Sequence, residues 1–202
     1  QTGTDPYLYP NTDWNELLYR TAQINTHNLR VSGGNENTRY AFSLGYLNQD
    51  GVLLGTSAKQ YNVRLNLDSK VSDKFNYSIK ISGKHEDVYE SPVGSGTLTG
   101  WVNRAKPYYT PLLADGRYGD TWIGGASQNS LAEAQNGENH TGEDIVVFNL
   151  SGEYEFFEGF KYKGTVGVAQ RSSLQKIFRP ELFTYNPKTL APTSLASGGT
   201  SL

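Results

Sequence analysis

The 202-residue chain has no cysteine, no methionine and no long apolar run; its longest, such as "IVVF" at 145–148, are very short. Without cysteine there is no disulfide and no thiolate metal site, and either redox compartment is compatible with the composition. A transmembrane helix needs about 20 apolar residues, so none is encoded here. A membrane β-strand is not excluded, because its signal is alternation over about ten residues. Charge of one sign is also lacking: 18 basic residues against 20 acidic ones leave a net charge of -2. No basic excess points to a nucleic-acid partner. The chain starts at Gln1 rather than Met, which implies a processed chain or a piece of a longer one, and a cut piece would show no signal peptide.

What is abundant is Gly, at 22 residues, and Tyr, at 14. That bias suits an all-β protein with many turns. In "TRYAFSLGYLNQDG", 38–51, the large side chains Tyr40, Phe42, Leu44 and Tyr46 alternate with small or polar ones, a strand pattern with one greasy face. The same period places Leu29 and Val31 on one face of 28–32, Tyr61, Val63, Leu65 and Leu67 on one face of 61–68, and Phe75, Tyr77, Ile79 and Ile81 on one face of 75–84. It returns at 145–154, with Val146, Phe148, Leu150 and Tyr154, and at 160–169, with Phe160, Tyr162, Val166 and Val168. Asp13 followed by Glu16 predicts the N-terminus of a short helix over "WNELLYRTA". From 85 to 143 no sustained period survives, apart from a short helical stretch near 98–105, and after 171 the chain reads as loop again.

The connections alternate in length. Those at "GGNENT", "SKVSDK" and "EFFEG" are short, whereas those at 49–60, 85–143 and after 171 are longer. In a meander every second connection lies at the same end of the sheet, so the short turns gather at one end and the long loops at the other. Outer-membrane barrels are built with that asymmetry.

Alternation alone does not say whether the greasy face meets lipid or a protein core. A soluble sandwich shows the same period, and pattern alone favours it because soluble sheets are commoner. Three features shift the balance to lipid. Tyr40, Tyr46, Tyr61, Phe75, Tyr77, Tyr154, Phe160 and Tyr162 stand near strand ends, where an aromatic girdle belongs. The strands read as about 9–11 residues, enough to cross at a tilt. The loop asymmetry is the third. The opposite face carries Arg64, Asp68, Lys80, Lys84, Lys161 and Lys163 among Asn and Ser, as the lumen of a wide barrel would.

The stretch "NTDWNELLYRTAQINTHNLRVSGGNENTRYAFSLGYLNQDGVL", 11–53, resembles the SusC/RagA family of TonB-dependent outer-membrane transporters, and the likeness continues through "YNVRLNLDSKVSD", 61–73. It is weaker in "NRAKPYYTPLLADGRYG", where Lys106 precedes Pro107 and Asp115-Gly116 supplies a turn, and "NSLAEAQNG" fits the family layout before its next strand. The resemblance implies an all-β antiparallel meander forming part of a 22-stranded transmembrane barrel with long extracellular loops, in the outer membrane of a Gram-negative bacterium. It implies a SusD-like surface lipoprotein as partner, energy from TonB, ExbB and ExbD through a plug region outside these residues, and import of an oligosaccharide or a peptide. On this reading 1–27 ends one extracellular loop with a short helix, 28–84 and 144–171 are barrel strands, 85–143 is a long extracellular loop and 172–202 begins another. Strands alone, with open edges, would not fold stably in isolation. The competing readings are a soluble β-sandwich carbohydrate-binding module and a structural adhesin-like surface domain.

No catalytic, metal or cofactor site is expected. His27, His85 and His140 have no metal-ligand spacing and read as ordinary surface or lumen histidines. "GSGTLTG", 94–100, has the wrong spacing for a phosphate loop and reads as flexible loop. Glu86-Asp87 and Glu143-Asp144 are adjacent carboxylates, but adjacency does not supply the spatial separation that glycoside hydrolysis needs. In the long loop Trp101, Tyr108, Tyr109, Tyr118 and Trp122 offer faces for sugar rings or peptide, with Arg104 and Arg117 for polar groups. The weightier alternative is that these aromatics anchor the loop on itself or on the partner, since a large ordered loop needs an apolar core of its own.

Overall fold

The computed structural model describes residues 4–123, 126–196 and 198–201, without the side chains of 122–123, 126–127 and 194–196. In chain order the elements are α1 (Trp14–Leu18), β1 (Ile24–Gly34), β2 (Thr38–Asp50), β3 (Ser57–Ser72), β4 (Phe75–Glu90), α2 (Ser95–Val102), β5 (Trp122–Ile123), β6 (Ala126–Ser127), α3 (Ser130–Gln135), β7 (Glu138–Phe157), β8 (Phe160–Arg179), β9 (Leu182–Tyr185), β10 (Pro192–Ala196) and β11 (Gly199–Ser201). One antiparallel sheet runs β1-β2-β3-β4-β7-β8-β11. Its tight turns share one end. Asn35 Oδ1 accepts from the amides of Asn37 at 2.9 Å and Thr38 at 2.8 Å, which closes the β1–β2 turn. Gly159, at φ +85°, supplies the left-handed residue of the β7–β8 turn. The long connections 51–56, 91–137 and 180–198 share the other end.

Register carries the alternation of single strands across the sheet. Val31, Phe42, Leu65, Ile81, Phe148 and Val168 are successive cross-strand partners and form one row of an apolar face. The neighbouring row on the opposite face is Arg30, Ser43, Arg64, Ser82, Val147 and Ala169. Nothing among the described residues covers the apolar face: Tyr162 is 64% exposed, Val166 62% and Val168 60%. A sandwich would bury that face under a second sheet, and among the described residues the other sheets are two-stranded.

The apolar band has the height of a bilayer. Aromatic rows bound it, Phe75 and Tyr154 near the tight turns and Tyr46 and Tyr61 towards the long loops. From Phe75 to the Tyr61 row, β4 advances about 34 Å, and at a tilt of about 40° it rises about 26 Å, against about 25 Å for the apolar band of an outer-membrane barrel.

The ladder continues past the limits read from alternation. β4 runs to Glu90, β7 begins at Glu138 and β8 reaches Arg179, with Glu90 still paired to Asn139. Strand lengths accordingly reach 16 residues in β3 and β4 and 20 in β7 and β8. Beyond the aromatic row Val88, Tyr89, Leu174 and Phe178 stand among Glu86, Glu90, Lys176 and Arg179, so the period disappears although the backbone pairing persists. "GSGTLTG" differs from its reading as flexible loop, because Ser95–Val102 forms α2 and buries Leu98 and Val102.

The buried core lies outside the main sheet. Trp14 and Leu18 of α1, Leu53 before β3, Leu98 and Val102 of α2, and Leu131 and Ala134 of α3 form one cluster at the long-loop end. Asp13 caps α1 by accepting from Asn15 N at 2.9 Å and Glu16 N at 3.1 Å. Asn129 caps α3 by accepting from Ala132 N at 3.1 Å. Among the described residues no helix is long and apolar enough to cross a membrane.

Candidate functional site

Two surfaces carry polar and aromatic chemistry: the loop cluster and the polar face of the sheet. In the loop cluster the predicted aromatics divide by environment. Trp101, Tyr109 and Tyr118 are half-buried and pack against the loop core. Tyr118 also donates its hydroxyl to Gln135 Oε1 at 3.0 Å. Burial raises the Tyr109 phenol above its ordinary value, and Tyr108 adds to this. Tyr108 is 54% exposed and meets Tyr109 edge to face at 5.0 Å between centroids. Arg104 is exposed and donates to the Gly100 carbonyl at 2.9 Å. The side chain of Trp122 lies outside the described residues.

The chain's first segment completes this surface. Thr110 donates to the Tyr7 carbonyl at 2.7 Å, and Trp14 Nε1 donates to the Lys106 carbonyl at 3.1 Å. These bonds lay 7–14 along 106–110 and bring exposed Tyr7 and Tyr9 to the region of Tyr108. Arg117, the other cation expected to hold polar groups, is already engaged. It pairs with Asp115 at 2.7 Å and lies 4.3 Å from the centroid of the Tyr185 ring. Arg117 in turn holds the Asp115 carboxyl below its ordinary value.

Glu133 ties the loop core to the sheet. It is 1% exposed and receives a bond from Arg179 Nη2, at the end of β8, at 2.5 Å. Among the described residues its second oxygen has no hydrogen-bond partner. Burial raises its carboxyl above the ordinary range, and Arg179 opposes the shift without reversing it. A raised folded value favours the protonated form. The contribution to stability is therefore full below the ordinary carboxyl pKa and is lost as pH rises through the folded value. Glu133→Gln should flatten this dependence. Limited proteolysis of the loops should show wild type more resistant at pH 4.5 than at pH 8, and the variant equally resistant at both. A variant with the wild-type pH difference would place its origin elsewhere.

The histidines, far apart in sequence, all stand on the apolar side of the sheet at the upper edge of its band, not on the polar side, and His85 and His140 share Asp87. His27, Tyr46, Tyr61 and His85 are successive cross-strand neighbours, with ring centroids 6.2, 5.1 and 6.1 Å apart. His85 Nδ1 lies 2.8 Å from Asp144 Oδ1 and its Nε2 3.1 Å from Asp87 Oδ2. His140 donates to Asp87 Oδ1 at 2.7 Å and stacks on Tyr89 at 4.6 Å. The sequence signal for this cluster was face parity, but it needed the register to become visible. Among the described residues no group of three or more His, Asp or Glu is arranged to hold a metal ion.

On the polar face, ion pairs concentrate towards the long loops. Lys84 reaches Glu86 at 2.8 Å and Glu143 at 3.1 Å, and Arg171 also pairs with Glu143. Below them Arg30, Arg64 and Lys80 stand exposed among Asn and Ser. Two adjoining hollows of about 510 and 360 Å³ lie along Arg30, Asn62, Arg64, Asn66, Lys80 and Asn149.

No family model matches the chain. It is 28% identical over 177 residues, 84% of its length, to the TonB-dependent receptor P3 of Formosa agariphila. It is 32% identical over 139 residues, 68% of its length, to the TonB-dependent receptor P26 of the same organism. The TonB-dependent receptor SusC of Bacteroides thetaiotaomicron is 28% identical over 104 residues, 50% of the chain. The structure of the RagAB peptide importer in the closed-closed state superposes with a TM-score of 0.70 over 84% of this chain and 20% of that one, at 23% identity. This chain corresponds to a segment of a SusC/RagA-like TonB-dependent receptor. It spans only 18, 14 and 10% of the three curated relatives. The fold of the receptor segment is an antiparallel stretch of an outer-membrane β-barrel wall, and the sandwich reading is not favoured. Its relatives are receptors and transporters rather than enzymes.

Proposed function

We propose that this segment forms part of the wall and outer loops of a 22-stranded TonB-dependent transporter that imports an oligosaccharide or a peptide across the outer membrane. The observation that carries the reading is the uncovered apolar face, bilayer-high and bounded by aromatic rows, with a polar face behind it and every long loop at one end. Residues 28–84 and 144–171 lie within or near the membrane, and 85–143 and 172–202 belong to the external side. The strands that outrun the membrane carry the loop cluster away from the lipid. There Tyr108 and Arg104 face outward to a ligand or to a SusD-like lipoprotein, while Trp101, Tyr109 and Tyr118 hold the loop in shape. A plug outside these residues couples the barrel to TonB, ExbB and ExbD. The wall contributes binding and exclusion, with no covalent chemistry.

Fractionation of the producing cells tests this. The native polypeptide containing "RVSGGNENTRYAFSLGYLNQDG" should be found in the outer membrane, be far larger than 22.3 kDa, and migrate differently when boiled. A soluble protein near 22.3 kDa would overturn it.

A further inference from the structure

Among the described residues, four glycines stand on the lipid-facing side of the sheet within its apolar band: Gly33, Gly83, Gly152 and Gly164. Aromatic rings cover three of them. A Cβ at Gly33 would stand 2.8 Å from the Tyr40 hydroxyl, one at Gly152 3.6 Å from Phe75 Cε2, and one at Gly164 3.6 Å from Tyr162 Cε1. Gly83 has no such cover, since a Cβ there would meet Val63 Cγ1 at 3.0 Å and, beyond its chain neighbours, nothing else within 4 Å. Gly83 is accordingly the gap in the apolar row Leu29, Leu44, Val63, Gly83 and Val146. The row above it, towards the long loops, is His27, Tyr46, Tyr61, His85 and Asp144. Together the two rows line a hollow of about 770 Å³. An apolar hollow edged by a few convergent polar groups is the usual form of a small-molecule site.

The polar edge of the hollow defines the rest of the ligand. Asp144 gives one oxygen, Oδ1, to His85 at 2.8 Å, and its side chain is still 63% exposed. One row further out Asn25, Asn48, Lys59 and Asp87 are successive cross-strand partners on the same face. Both Asp87 oxygens are held by histidines, Oδ2 by His85 at 3.1 Å and Oδ1 by His140 at 2.7 Å. Lys59, opposite Asp87, is exposed and among the described residues has no ion-pair partner. The two outer rows thus set an unpaired ammonium, two amides, a carboxylate oxygen and two tyrosine rings above an apolar gap. An ammonium suits a phosphate. Amides and a carboxylate suit hydroxyl and N–H groups, and ring faces suit a sugar. A lipid with a phosphate but no sugar would leave most of these groups unused.

We propose that the hollow over Gly83 and the polar shelf above it bind the glycolipid of the outer leaflet. One acyl chain lies over Gly83 between Val63 and Val146, and the phosphorylated glucosamine headgroup meets Lys59, Asn25, Asn48 and Asp144. The proposal rests on the transporter reading above, which sets this edge of the band in the external leaflet, and adds a lipid partner to it.

The test uses the whole receptor, purified in detergent from the outer membrane and stripped of bound lipid. Diphosphoryl lipid A, dipalmitoylphosphatidylglycerol and monoglucosyl diacylglycerol are the probes, in titrations read by native mass spectrometry. The tightest-bound lipid A should exceed either other lipid in affinity by at least about tenfold, and Lys59→Gln should weaken it by about tenfold. Gly83→Leu, which fills the hollow, should weaken it as well. Lys74→Gln, at the tight-turn end, should leave it unchanged, with the boiling-dependent shift kept in every variant. Phosphatidylglycerol or the glucosyl lipid binding as tightly as lipid A overturns the phosphorylated sugar headgroup. Wild-type affinity for lipid A in folded Lys59→Gln or Gly83→Leu overturns the site, as does an equal loss in Lys74→Gln. Where Gly83→Leu fails to insert, Lys59→Gln, whose side chain stands above the band, decides. A receptor absent from the outer membrane defeats the transporter reading itself, whereas an inserted receptor without preference for lipid A defeats only this inference.

Discussion

Leu65→Arg should cost the receptor about 2–4 kcal/mol of barrel stability, the penalty for a basic side chain at the bilayer midplane on the lipid face of an outer-membrane barrel. Leu65 lies in the row Val31–Phe42–Leu65–Ile81–Phe148–Val168, midway between the aromatic rows that bound the apolar band. The adjacent substitution Asn66→Arg is its control, because one step along a strand exchanges one face for the other. Asn66 points to the side that carries Arg64 and Lys80, so its replacement should change stability by about 0.5 kcal/mol or less. Folding of the receptor into vesicles, followed by its boiling-dependent shift across a urea series, measures both. A large loss at position 65 with little at 66 places lipid against the apolar face. A negligible effect at position 65 would mean that this face meets water, and the membrane orientation would be withdrawn.

That contrast between neighbours also shows what could be read from the sequence. Where a strand separates lipid from a polar interior, alternate side chains must differ, so β3 and β4 announced themselves within 61–68 and 75–84. Above the membrane the same strands separate water from water. Glu86, Asp87, Val88 and Tyr89 then follow no two-residue rule, and the extension of β4 to Glu90 was invisible. The histidine cluster failed to show for another reason. Asp87 and His140 are 53 residues apart, and only the β4–β7 register brings them together. The loop residues Trp101, Tyr108, Tyr109 and Tyr118 were visible as an aromatic-rich stretch, but composition does not tell which rings turn inward. Their division follows from the core formed by α1, α2 and α3, to which four separate segments contribute only one or two side chains each.

Leu98→Ala should therefore open the external loops while leaving the barrel intact. Leu98 is 0% exposed at the centre of a cluster whose other buried members are Trp14, Leu18, Leu53, Val102, Leu131 and Ala134. Truncating a fully buried leucine costs about 2–5 kcal/mol, through lost transfer energy and the cavity left behind. The helices have little stability of their own to absorb that loss. With 5, 8 and 6 residues, α1, α2 and α3 are too short to persist without packing. The sheet is held separately, by ladder hydrogen bonds from Ile24 to Arg179 and by the medium around its apolar face. Protease added to intact cells should cut within 91–137 much faster in the variant, while the boiling-dependent shift is unchanged. Loss of both would show that the barrel depends on the loop core for its own folding. Retained resistance of 91–137 would show that bonds such as Trp14 Nε1 to the Lys106 carbonyl and Asn129 Nδ2 to the Pro111 and Gly119 carbonyls hold the loops without Leu98.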